Sequence, residues 1–296
     1  MGLKDIFVCI DPTDAGEARL RLAAALAREQ HAHLSAAFLL PEALPGAPPR
    51  VIPPTGAAWM PQAGLIAGQP PQGVAPGLGA DAAREAEIAE IVEQRFRAEI
   101  EPRSITGDWY RFRSGESAEF ISLLTAVDLV ILGQTSDGYR LPAGFRPEDV
   151  IVVSGRPALV VPFAGTFAAV GRRVLIAWDG SREAARAVHD ALPLIAKAEA
   201  AIVIGVSARE AQAERVHPSL DRVVRHLSRH GISARLEEMV GTDVPVADLL
   251  LSRAADLDAD LIIAGAYHHS QFREALIGGV SRALLDHMTV PVLMAH

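Results

Sequence analysis

Phe7-Val8-Cys9-Ile10-Asp11-Pro12-Thr13 and Leu175-Ile176-Ala177-Trp178-Asp179-Gly180-Ser181 stand 168 residues apart, and each is an apolar run closed by Asp-x-Thr or Asp-x-Ser. A short apolar run without alternation reads as a strand covered on both faces, the habit of parallel sheets. A repeat of such a unit decides how the chain is organised. At the same shift the stripe Leu20, Ala23, Ala24, Ala27 falls on Val188, Ala191, Leu192, Ile195, a spacing that puts four apolar side chains on one helix face. Beyond it, Leu34, Ala36 and Phe38 fall on Ile202, Ile204 and Val206, read as the second strand of each copy.

Further on the shift changes, as insertions require. Val127-Asp128-Leu129-Val130-Ile131-Leu132-Gly133 matches Ala259-Asp260-Leu261-Ile262-Ile263-Ala264-Gly265. Arg156-Pro157-Ala158-Leu159-Val160-Val161 matches Val290-Pro291-Val292-Leu293-Met294-Ala295, each a last strand entered through Pro, which a first strand position tolerates. Strands alternating with helical patterns give right-handed crossovers and parallel sheets. The expected fold is therefore α/β: two tandem, doubly wound, five-stranded parallel-sheet domains at 1–165 and 172–296, with the boundary near Phe163 to Gly171. The chain length of 296 residues agrees with two domains and two cores.

The copies differ most after the second strand, where the first inserts Pro41 to Gly79, holding ten of the 20 Pro. A segment so long and so rich in Pro is either a loosely packed loop or a cover over function. Trp59, Met60, Leu65 and Ile66 give it something to pack with. Val51 to Ala80 carries no charge, but its six Pro and six Gly exclude a membrane-spanning helix. The N-terminus enters its first strand without the long apolar stretch or cleavage site of a secretory signal. Lone Cys9, inside an apolar run, reads as a small buried hydrophobe. A cytoplasmic location is expected. With 28 basic and 36 acidic residues the net charge is −8, so the field that non-specific nucleic-acid binding needs is missing.

Ligands of doubly wound sheets bind beyond the carboxyl ends of the strands, at the switch in strand order. In the second copy those positions are Asp179-Gly180-Ser181, Val206-Ser207, Gly241-Thr242-Asp243 and Gly265-Ala266-Tyr267-His268. After them, Gly278-Gly279-Val280-Ser281 opens a helix whose inward face is read as Val280, Ala283 and Leu284, with Met288 near its end. Paired glycines before a helix let an anion approach bare backbone N–H groups at the positive end of the dipole. In the first copy Gln134-Thr135-Ser136-Asp137-Gly138 follows Gly133, and Glu148 and Asp149 open the corresponding helix, placing negative charge where a phosphate would lie.

Gly265-x2-His268-x9-Gly278-Gly279 is similar to the Gly-x2-Gly-x9-Gly-Ser/Thr loop of nucleotide-binding universal stress proteins, with His268 in place of the second Gly and Gly279 in place of the hydroxyl residue. The chain resembles a tandem bacterial member of that family, whose fold is adenine nucleotide alpha hydrolase-like. The resemblance implies that Ala177 and Asp179 line the adenine and ribose side, and that Val206 contacts the base. It implies that Gly265, His268, Gly278, Gly279, Val280 and Ser281 lie along the phosphates of ATP, which carry Mg²⁺. An imidazole at 268 either blocks the phosphate path or, protonated, supplies a donor. Trp178 either stacks on a base or fills its pocket. The first copy is read as a scaffold without nucleotide.

Other readings are weighed beside these. Asp179 fits an N-cap without any ligand. His226 and His230, four apart with His217 upstream, have a chelating spacing, but no carboxylate or thiol cluster joins them and no metal site is expected. Arg222, Arg225 and Arg229 read as a solvated helix face. No Gly-x-Ser-x-Gly elbow, His-Glu-x-x-His or Walker loop is present, so a dedicated enzyme is not expected; the resemblance implies a stress-response binding protein with slow ATP hydrolysis at most. An enzyme that uses an adenylate is the weaker reading. The alternative is an interaction scaffold with both sites closed. The terminal strands Ala158 to Val161 and Val292 to Ala295 are the expected edges through which a homodimer or larger homo-oligomer forms.

Overall fold

The computed structural model describes residues 2–39, 78–135, 141, 145–207, 210–240, 244–266 and 279–296. The first half runs β1 (Asp5–Ile10), α1 (Asp14–Gln30), β2 (His33–Leu39), α2 (Leu78–Ile100), β3 (Trp109–Phe112), α3 (Ser117–Leu124), β4 (Leu129–Gly133), α4 (Pro147–Ser154) and β5 (Ala158–Val161). The second repeats the order with β6 (Arg173–Trp178), α5 (Arg182–Ile195), β7 (Ala200–Ser207), α6 (Glu210–Arg229), β8 (Ala234–Val240), α7 (Val246–Asp256), β9 (Leu261–Gly265), α8 (Gly279–His287) and β10 (Val292–Ala295). Of the insert Pro41 to Gly79, residues 41–77 lie outside the described residues; Leu78 and Gly79 belong to α2.

All ten strands form one sheet in the order β3-β2-β1-β4-β5-β10-β9-β6-β7-β8. Each half has the same internal order, and every pairing within a half is parallel. The halves join where β5 runs antiparallel to β10, with Leu159 opposite Leu293, Val160 opposite Val292 and Ala158 opposite Met294. Leu159 thus meets its own counterpart in the repeat, which is the signature of a local two-fold axis. This corrects two expectations. The sheet is continuous, not one per half. The terminal strands do not offer edges to another chain: each has both sides occupied, β5 by β4 and β10, β10 by β5 and β9. The open edges are β3 and β8.

The apolar layers are divided by the sheet. One lies under α1, α2, α5 and α6, built on Ile6, Val8, Leu20, Phe96, Ile176, Val188 and Leu227. The other lies under α3, α4, α7 and α8, built on Phe7, Phe120, Ile151, Leu175, Leu250 and Leu284. Both draw on both halves, so the expected pair of cores is one per face and not one per repeat. Cys9 is fully buried in the second layer, where burial pushes its thiol up to about 12.

The repeat is legible in detail. Thr13 and Ser181 N-cap α1 and α5, accepting from Gly16 and Ala184 N–H. Asp128 accepts from Lys4 and Asp5 N–H, while Asp260 accepts from Gly171, Arg172 and Arg173 N–H, so one carboxylate in each half pins the chain as it enters the first strand. Along the second strands the shift of 168 slips by one. Ile6 pairs with Leu34, and its counterpart Val174 pairs with Ala201. Leu34 therefore corresponds to Ala201, and Ile202 and Ile204 face the opposite apolar layer from Leu34 and Ala36. A one-residue slip reverses every side chain in a strand; runs apolar on both faces conceal it.

Candidate functional site

β6 and β9 are neighbours with Ile176 opposite Ile263, so both strands end, at Trp178 and Gly265, at the same margin of the sheet. The helix after β6 covers one face and the helix after β9 the other, which makes this margin the switch point of the second half. α5 and α8 both begin at this margin, so the N-termini of two helices lie beside it.

Asp179 is exposed at the end of β6, and one of its carboxylate oxygens accepts from Ser181 N–H at 2.9 Å. Gly180 between them has φ +79°, a left-handed conformation that favours glycine. The helix cap is Ser181, not Asp179: the Ser181 hydroxyl accepts from Ala184 N–H at 3.0 Å. The cap position considered for Asp179 is thus filled, and its carboxylate is turned to solvent. Trp178 packs against the α5/α6 layer and its indole N–H donates to Ser219 on α6 at 3.0 Å. Ala177 packs on the other layer. Val206 and Ser207 are the last residues of β7 rather than a loop beyond it, with Val206 opposite Met239.

Gly265 closes β9 against the first turn of α5. A Cβ there would lie 2.6 Å from Ala184 N and 2.8 Å from Glu183 C. Helix-to-strand packing alone therefore demands this glycine. Glu183, which sequence reasoning did not single out, is buried in that turn and paired with Arg182; a first-turn carboxylate suits the helix dipole. Among the described residues none has an atom within 4 Å of where a Cβ on Gly279, the first residue of α8, would be. The Ser281 hydroxyl donates to Gly265 O at 3.4 Å, tying the first turn of α8 to the end of β9. The buried face of α8 is Ser281, Leu284, Leu285 and Met288, and Val280 is 43% exposed. The inward face is thus one residue out of phase with the expected Val280, Ala283 and Leu284, because the i, i+3, i+4, i+7 row starts at the residue that bonds β9. His268 and Gly278 lie outside the described residues, as do Gly241, Thr242, Asp243 and Tyr267.

The first half builds the same turn with a different occupant. Asp11 accepts from Thr13 N–H at 2.9 Å, as Asp179 accepts from Ser181. Asp11, however, is buried and ion-paired with Arg19, itself 1% exposed, whose Nε also donates to Cys9 O at 2.7 Å. The position matching Arg19 in the second half is Ala187. The helix start matching Gly279 is also occupied by charge. Arg146 caps α4 with its N–H donating to Asp149 at 2.8 Å, and Glu148 is buried beside the Arg146 guanidinium, its carboxyl raised above the usual range chiefly by burial.

On α6, Arg222, Arg225 and Arg229 are exposed, in accord with a solvated face. The His226 and His230 rings meet edge to face at 4.7 Å between centroids, and burial, then the neighbouring His230 and His189, hold His226 below its ordinary value. Among the described residues no three His, Cys, Asp or Glu side chains are grouped as metal ligands. Among the same residues no helix is long and apolar enough to cross a membrane.

Comparison with solved structures matches this fold over nearly its whole length. A universal stress protein from Archaeoglobus fulgidus is 15% identical with a TM-score of 0.67, covering 98% of this chain and 97% of that one. A functionally unknown protein from Pseudomonas aeruginosa PAO1 is 18% identical with a TM-score of 0.54, covering 99% and 92%. No curated protein matches the chain. The family model described as the universal stress protein family matches residues 171–296, the second half of the repeat.

Proposed function

We propose that the chain is a stress-response binding protein whose second half holds an adenine nucleotide, Mg-ATP, at the switch point, while the first half serves as its scaffold. The observation that carries this reading is the contrast between the copies. In the first, Arg19 neutralises and covers Asp11; in the second, Ala187 stands at the position of Arg19 and Asp179 is exposed, near a helix start at Gly279 that no other described residue crowds.

The residues fit such a ligand. Asp179 offers a carboxylate to ribose hydroxyls, and the α8 amides beginning at Gly279 offer donors to phosphate. Ser281, which bonds Gly265, keeps that helix start against β9. Mg²⁺ would be carried by the phosphates, which supply its charge neutralisation. By family resemblance Ala177 and Val206 lie on the base side, and Gly265, His268, Gly278 and Val280 along the phosphates. The role is binding rather than turnover, in a cytoplasmic setting. A closed interaction scaffold is the rival reading, favoured by the apolar layers that the two halves share.

Calorimetric titration of nucleotide-stripped protein with Mg-ATP tests the proposal, with Gly279→Asp and His268→Gly alongside. One-site binding is expected, with stabilisation of about 2.7 kcal/mol at a ligand concentration a hundred times Kd. Gly279→Asp should abolish it with the fold intact, because no described residue lies within 4 Å of the new Cβ and an acidic first turn favours the helix by about 0.3–1 kcal/mol. Unchanged affinity in that variant rejects the site. Binding only by His268→Gly means a site closed by that one side chain, and binding by neither leaves the scaffold.

A further inference from the structure

Gln134, the residue after β4, belongs to the first half, yet its side chain serves the second. It is 4% exposed, and its Nε2 donates to Leu285 O at 2.9 Å and Asp286 O at 3.0 Å, two of the last carbonyls of α8. These carbonyls have no partner within their own helix. The amide is held from behind: Phe163 N–H donates to its Oε1 at 3.3 Å, and its own N–H donates to Val161 O at 2.8 Å. Arg146, also from the first half, bonds Asp286 at 3.0 Å. α8 is thus fixed at its start by Ser281 on Gly265 and at its end by the other half.

The arrangement is not mirrored. In the second half the residue after β9 is Ala266, whose N–H donates to Ala295 O at 2.8 Å just as Gln134 N–H does to Val161, but whose side chain has no donor. The local two-fold axis would place such a donor at the end of α4, and α4 instead ends at Gly155 with φ +61°. A bond of the same kind reaches the last turn of α5, where Gln30 of the first half donates to Pro193 O at 3.1 Å, whereas α4 ends on its glycine.

We infer that Gln134 is a positioning residue for that site: the first half sets the orientation of α8, and through it the place of the amides at Gly279, by holding the far end of the helix. The inference rests on the nucleotide reading above. α8 has nine residues, about 13 Å at 1.5 Å per residue, so a small tilt at Leu285 and Asp286 is carried to Gly279 as displacement of the anion-binding N–H groups.

The test compares wild type, Gln134→Glu, Gln134→Ala and Lys197→Ala by Mg-ATP titration and by hydrogen exchange of peptides covering 279–287. Gln134→Glu keeps the size and the acceptor for Phe163 but replaces the donor with a carboxylate facing helix carbonyls. Lys197→Ala breaks a different bridge between the halves, the 3.0 Å pair with Glu29. Both Gln134 variants should weaken Mg-ATP by about tenfold, in keeping with two lost hydrogen bonds, and should speed exchange along α8. Lys197→Ala should change neither. Wild-type binding with unchanged affinity and exchange in the Gln134 variants overturns the role of Gln134 alone, and equal losses in Lys197→Ala show general loosening and overturn it too. No binding by wild type overturns the site itself and the inference with it; faster α8 exchange would then record only a structural bond.

Discussion

Arg19→Ala should be costly for a reason that lies in Asp11. The guanidinium is 1% exposed and is the ion-pair partner of a carboxylate that is 9% exposed, and it also satisfies Cys9 O. Removing one partner of a buried pair costs about 3–5 kcal/mol, because the other charge is left uncompensated. Asp11 would retain the Thr13 N–H and hydroxyl as donors, which places the expectation at the lower end, about 3 kcal/mol. At about 2–4 °C per kcal/mol for a domain of 150–250 residues, the melting temperature should fall by roughly 6–12 °C. The assay is thermal and urea unfolding of the two single variants and of Asp11→Ala/Arg19→Ala. The double variant should be less destabilised than the sum of the singles, with a coupling of roughly 1–3 kcal/mol. Asp179→Ala, at the same turn in the second half but exposed, should cost about 1 kcal/mol, the hydrogen bond to Ser181. A loss below about 1 kcal/mol for Arg19→Ala, or additivity in the cycle, would refute the argument that the first site is sealed by a buried pair.

Gly265→Ala should destabilise by about 1–3 kcal/mol with no nucleotide present, since its Cβ meets the backbone of Glu183 and Ala184 and not a flexible side chain; unchanged urea stability would contradict the packing account of this glycine. Glu148→Gln should raise the melting temperature at neutral pH. The buried carboxyl is raised in the folded state, so its contribution is present below the unfolded value, about 4.3, and is lost as pH rises through the folded one. The gain from Gln should therefore shrink as the pH is lowered towards 4, and melts showing a gain independent of pH would argue against burial as its cause.

How far the site could be read from sequence differs from residue to residue. The Asp-x-Ser turn was legible because its function is local: a carboxylate two residues before a capping hydroxyl needs nothing from elsewhere in the chain. The phase of α8 was not. Val280 and Ser281 are equally consistent with an apolar row through Leu284 and Met288, and the bond from Ser281 to Gly265, which requires β9 to be in place, selects between them. Gln134 left no sequence signal at all, because its partners lie 151 and 152 residues away and are backbone carbonyls.

The sequence alone determined the repeat, the doubly wound parallel α/β class and the contrast between a glycine-opened and an acid-opened helix. These follow from periodicity, turn chemistry and the right-handed crossover, all of which act over a few tens of residues. Only the tertiary structure decided that the two sheets fuse through β5 and β10, that the apolar layers divide by face, and that Arg19 pairs with Asp11 in one half while Gln134 bonds the end of α8 in the other. Short apolar strands such as Ala158–Val161 and Val292–Ala295 carry no mark of which neighbour they will take. That choice belongs to burial over the whole sheet, where pairing them with each other satisfies both sets of backbone groups and joins the two apolar layers at once.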